Sequence, residues 1–247
     1  MKGILNLNNP FFRFMNRVAD LIILNLLCIV CCLPVITIGP AITAMFYVTL
    51  KMVRNEECYV IKGFFHSFRD NLKQGILIHI IMLFISAILF IDLYFCWQMK
   101  ANISLCKILI GLFSALSVIY LMVFIYIYPL LARFSNTTKN LFLNAFLMSI
   151  RHLPQTIAML MLTVIPFVIM FSNSIILDWG LLLYALVGFS GMATLSSFLF
   201  VNIFDKYTPK TEHVARELDD VEIETSVFKN LQPTNKTSKS EDSNTTE

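Results

Sequence analysis

Three ionisable side chains, Asp20, His79 and Asp92, stand inside long apolar runs or at their edges. Charge inside a hydrocarbon span is costly, so such residues ordinarily mark proton or ion paths. Here each lies close to an expected span end and can reach water, which favours boundary solvation over a relay. Asn25, Asn173 and Asn202 are amides in apolar surroundings and read as hydrogen-bonding glue between helices rather than a substrate site. Cys28, Cys31 and Cys32 share one helical face, where a metal or redox site can be conceived. No histidine or carboxylate is close enough in sequence to complete it. Thiols also serve as small apolar fillers, so these three read as packing residues. With Cys58, Cys96 and Cys106 they form no disulfide spacing. Nucleophile elbows, phosphate-cradling loops and zinc-protease helices are missing from the sequence. These residues argue against an enzyme and lead us to expect no cofactor or metal.

The elements that hold these residues are apolar. The chain is 57% hydrophobic and 14% charged, with a mean hydropathy of +0.72. Soluble domains carry about 25% charged residues, so the composition describes a polytopic membrane protein. The expected fold is all-α: a bundle of about six spans of roughly 20 residues, with two amphipathic surface helices on the cytoplasmic side. The spans fall near 18–37, 41–53, 75–97, 105–130, 155–177 and 181–204. Asn8-Asn9-Pro10 reads as the start of an interfacial helix running into the first span. The second span is the weak one, because residues 41–53 make only about 20 Å of helix. A signal peptide is rejected, since the first apolar run is long and a second follows at once.

The chain is organised around Leu33–Ala41. Two prolines and a glycine interrupt the apolar run, and Pro34, Thr37, Gly39 and Pro40 are expected to form the turn between two buried helices. Residues 59–73 then alternate an apolar stripe (Ile61, Phe65, Phe68, Leu72) with a basic one (Lys62, His66, Arg69, Lys73), the pattern of a helix lying on a membrane. Phe64, Phe65 and Phe68 cannot all point into lipid, so Lys62, Phe64, Phe65, Phe68, Arg69 and Lys73 are the expected lipid or partner surface. Residues 140–153 look like a second surface helix, with a stripe of Phe142, Phe146, Ile150 and Leu153. Pro129 marks the far end of span four, Pro154 starts span five, and Asp178-Trp179-Gly180 reads as a tight turn. Gly188, Gly191, Ala193, Ser196 and Ser197 give the last span a face for close helix approach.

From residue 206 to 247 the composition becomes polar and too poor in large apolar residues to fold alone, so the membrane domain is 1–205 and the rest a disordered cytoplasmic tail. With six spans and a cytoplasmic N-terminus, every Lys and Arg except Lys100 and Lys107 falls on the cytoplasmic side. Positive charge is retained inside, so both termini are expected there, with the Thr37–Pro40 turn outside and 54–73 inside. A faint repeat also shows. Ile61, Phe65, Leu72 and Gln74 match Phe142, Phe146, Leu153 and Gln155 at one constant offset, and Pro40–Phe46 resembles Pro129–Phe134. The copies would be parallel, related about the membrane normal.

The Leu33–Tyr47 stretch, Lys51, Arg54-Asn55-Glu56-Glu57, Phe65, Phe68 and Asn71-Leu72-Lys73-Gln74 together resemble the YesL-like family of bacterial integral membrane proteins. Asn25-Leu26, Pro129–Phe134 and the helix before Pro154 fit the same pattern, so the resemblance spans about 1–205. It implies a domain of unknown function, mainly Gram-positive, often encoded beside sugar-uptake transporters, carbohydrate-degrading enzymes and two-component sensors. It brings no catalytic residues. The expected role is an accessory or regulatory partner of a carbohydrate transporter or sensor in the plasma membrane, in contact with lipid and not with nucleic acid. A small transporter or channel is the alternative, and a lipid- or glycan-modifying enzyme the third.

Overall fold

A computed structural model describes residues 10–56, 59–98, 104–134, 136–171 and 180–206. Among them the regular structure is all helical. The helices are α1 (Pro10–Cys32), α2 (Ile38–Val53), α3 (Val60–Asp70), α4 (Leu72–Gln98), α5 (Ser104–Arg133), α6 (Thr138–Arg151), α7 (Leu153–Phe171) and α8 (Gly180–Phe204). A single 3-10 turn, Val35–Thr37, joins α1 to α2, and α8 contains a π-helical turn at Tyr184–Gly188. Five helices are long and apolar enough to cross a membrane. The pair α6–α7, bent by 99°, makes a sixth if counted as one span.

Local chemistry explains the ends. α1 stops two residues before Pro34, whose ring disfavours helix in the residue before it. Pro154 sits in the first turn of α7, which begins one residue earlier than the sequence suggests. Pro129 does not end its helix: it is buried within α5, which continues to Arg133. The sequence-level helix start at Asn8-Asn9, the turn at 178–179, Asn173 and the tail from 207 onward lie outside the described residues.

Gly39 and Pro40 are corrections to the expected turn. Both lie buried in the first turn of α2, and the break itself is Leu33–Thr37. Pro40 is tolerated there because first-turn N–H groups have no partner inside the helix. No described glycine has positive φ, so Gly39 serves space rather than backbone freedom. A Cβ on Gly39 would collide with the Gly75 carbonyl and lie 2.7 Å from the His79 Cβ. A Cβ on Gly75 would lie 3.0 Å from the Pro40 ring.

This contact also revises the expected topology. Gly75 is one turn into α4, and α4 touches the Val35–Thr37 turn. The α1–α2 break and the start of α4 are therefore neighbours, not separated by a hydrocarbon thickness of about 30 Å. α3 folds back along α2 to make this possible. Val60 and Phe64 join Leu24, Cys28, Ala41, Ala44, Met45, Val48 and Ala193 in one buried cluster. Half of the α2 span is buried, against 17% of α1, so neighbouring protein shields the short second span. At its far end, Arg17 on α1 donates to the side-chain oxygen of Asn55 at 2.5 Å. Asn55 holds φ 56°, a left-handed conformation that Asn tolerates.

The order of elements parallels the expected repeat. In α2–α3–α4 and again in α5–α6–α7, a helix is followed by a shorter one packed on it and then by a longer one. Two backbone bonds recur at the junctions. Asn71 N donates to Ser67 O and Gly75 N to Asn71 O, while His152 N donates to Met148 O and Thr156 N to His152 O. Val60 and Phe64 are buried under α3, and Leu141 and Ala145 are buried at the same offset under α6.

Candidate functional site

The buried polar groups of the spans gather at helix crossings. In α1, Asn25 is fully buried, and its side-chain amide donates to the carbonyls of Ala185 (2.6 Å) and Tyr184 (3.4 Å). Its oxygen accepts from Ser190 N at 3.0 Å, and Ser190 Oγ donates to Leu21 O at 2.8 Å. A π-turn disturbs the ordinary i−4 ladder, and lipid supplies no water to satisfy groups left over. Asn25 serves both sides of that break in α8. It is the interhelical glue the sequence suggests, although Asn202 is exposed.

His79 departs from expectation. It is buried against α5, with Nδ1 2.9 Å from the Tyr128 hydroxyl, rather than solvated at a boundary, and its Nε2 has no partner. Tyr126 meets Thr156 Oγ1 at 2.9 Å, tying α5 to α7, and Thr49 meets Ser197 at 2.9 Å, tying α2 to α8. Tyr120 donates to the Met82 carbonyl. The sequence reading missed Tyr126, Tyr128 and Thr156. Their signal was hydroxyls in the middle of apolar runs, where each needs a partner.

At the hairpin tip, the Thr37 hydroxyl lies 2.7 Å from Cys31 O, a carbonyl in the last turn of α1, and 2.8 Å from Pro34 O, which also accepts from Thr37 N. Pro34 itself is exposed, as are Leu33 (77%), Val35 (58%) and Ile36 (56%). Such apolar exposure suits lipid better than water. Cys28 Sγ and Cys32 Sγ are 3.9 Å apart, too far for a disulfide bond. Among the described residues no group of three or more His, Cys, Asp or Glu could hold a metal ion.

The α3 residues divide. Phe64 is fully buried and stacks on Phe68, with ring centroids 6.1 Å apart, and Phe68 is half-buried against the same core. Phe64 is therefore a core residue and not a partner surface, because α3 turns its Val60–Phe64–Ser67 face inward. Phe65, Ile61, Lys62, Arg69 and Lys73 are exposed. Two grooves lie at the periphery. One of about 640 Å³ runs between Lys73, Gln74 and Asn136–Thr138, and an apolar one of about 530 Å³ lies between α7 and α8.

No curated protein and no solved structure matches the chain. Residues 21–93 match the family model described as protein of unknown function, DUF624. The matched stretch runs from α1 into α4 and so takes in the α1–α2 hairpin, α3 and the Gly39–Gly75 crossing.

Proposed function

We propose that this is a non-enzymatic membrane protein of YesL-like type that assists or regulates a carbohydrate transporter or sensor in the bacterial plasma membrane, with both termini cytoplasmic. The observation that carries this reading is how the polar groups at membrane depth are used. Asn25, Thr49, Tyr126, Thr156 and Ser197 spend their hydrogen bonds on neighbouring helices. A transporter needs a polar route for its substrate, whereas a packed bundle suits a binding partner. The carbohydrate side of the reading rests on the resemblance, and the orientation rests on the retention of Lys and Arg inside. A tagged chain purified in mild detergent should bring down sugar-uptake transporter or sensor subunits that an unrelated membrane bait does not. The alternative, a small transporter, draws on the broken α1–α2 hairpin and the π-turn, since irregular backbone at depth often lines a pathway. Purified protein in liposomes that moved a sugar or ion above empty-vesicle leak would decide for it.

A further inference from the structure

We propose that the outward face of α3 docks an anionic phospholipid, its phosphate held between Lys62 and Arg69 and an acyl chain laid on Ile61 and Phe65. A groove of about 500 Å³ runs along this face, lined by Ile61, Lys62, Phe65, His66, Arg69 and Asp70. Ile61 and Phe65 are half exposed, at 53% and 44%, although the opposite face of the helix is buried. The acid in the groove is already engaged: Asp70 pairs with His66 at 2.5 Å. Among the described residues no carboxylate pairs with Lys62, Arg69 or Lys73. Lys62 Nζ sits 5.4 Å over the Tyr59 ring, an arrangement that steadies a cation while leaving its N–H groups free to donate. Lys62 and Arg69 are two turns apart, about 10 Å of rise, within reach of one phosphate diester for two long side chains.

The repeat supplies an internal control. The offset that carries Ile61 to Phe142 carries Phe65 to Phe146, and both phenylalanines are exposed. It also carries Lys62, His66, Arg69 and Lys73 to Leu143, Leu147, Ile150 and Pro154, all exposed. Two helices in corresponding places therefore present the same aromatic ring, one with cations at these four positions and the other with apolar side chains there, its own cations Lys139 and Arg151 standing at the helix ends. The fold does not demand charge at these positions. What distinguishes α3 is complementarity to an anionic headgroup.

The test uses the full chain with Trp97→Phe and Trp179→Phe, carrying Phe65→Trp or Phe146→Trp as the sole tryptophan. It is reconstituted in phosphatidylcholine vesicles containing equal fractions of brominated phosphatidylglycerol or brominated phosphatidylcholine. Quenching at position 65 should favour the phosphatidylglycerol at least about fivefold, roughly the attraction of one surface cation. Added salt and Lys62→Gln with Arg69→Gln should both remove that preference, and position 146 should show a clearly smaller one that the double variant leaves unchanged. Position 146 quenching in the double variant reports whether the fold is intact. Equal preference at both positions, or a preference that survives the double variant in an intact fold, would overturn the proposal. So would position 65 unquenched by either lipid, which would mean that protein covers the face.

Discussion

Asn25 and Gly39 fix positions in this bundle by opposite means, one through bonds and the other through the lack of a side chain. Asn25→Ala leaves the Tyr184 and Ala185 carbonyls and the Ser190 N–H without the amide that serves them. Polar contacts between membrane helices are worth about 1–2 kcal/mol at the upper end, and a loss of that size is expected in mixed-micelle unfolding. Gly39→Ala places a methyl against the Gly75 backbone, which cannot swing aside, and overpacking of this kind costs about 1–3 kcal/mol. Gly111→Ala meets nothing within 4 Å and should be neutral or slightly stabilising in the same assay. Phe64→Ala opens the α1–α2–α3 cluster and should cost about 3–5 kcal/mol, with loss of expression. Phe65→Ala, on the exposed side, should leave unfolding unchanged within error. Asn25 was legible because an amide in an apolar run has few other uses. Gly39 was misread because Gly-Pro signals a turn, and its need for space appears only once α4 is packed on it. His79 was misread because its depth depends on α5, which the local sequence does not contain.

Elements were easier to read than their arrangement. Hydropathy placed the helices to within a few residues, and periodicity picked out α3 and α6. Periodicity did not say which stripe of α3 faces protein, because Val60, Phe64 and Ser67 are no more apolar than Ile61, Phe65 and Leu72. The α1–α2 hairpin was read as a full crossing, since its tip was assigned by charge bookkeeping alone. The Gly39–Gly75 contact places the tip beside the first turns of α4, and the exposed Leu33, Val35 and Ile36 there suit lipid better than water. A single cysteine at Ile36, in a cysteine-free background, should react slowly with impermeant maleimide from either side. A nitroxide there should relax faster with oxygen than with a water-soluble nickel chelate. Rapid labelling from outside would restore the full crossing.

At the scale of the whole molecule, the repeat was visible only as a few matching residues, because apolar segments resemble each other by chance. The structure adds paired junction bonds at Asn71 and His152, which sequence similarity alone does not reveal. The bond set of Asn25 closes over 159–165 residues of chain, joining α1 to α8. A ribosome adding about 5–20 residues per second therefore leaves α1 in the bilayer for roughly 10–30 s before its partner exists. During that interval a polar amide faces lipid or a borrowed contact, which is the condition insertion chaperones and membrane proteases detect. Chains stopped before Tyr184 should be degraded faster than full-length protein in a pulse-chase, and Asn25→Leu should slow their loss while destabilising the finished bundle. The asparagine that holds the completed protein together would thus also time-stamp the incomplete one.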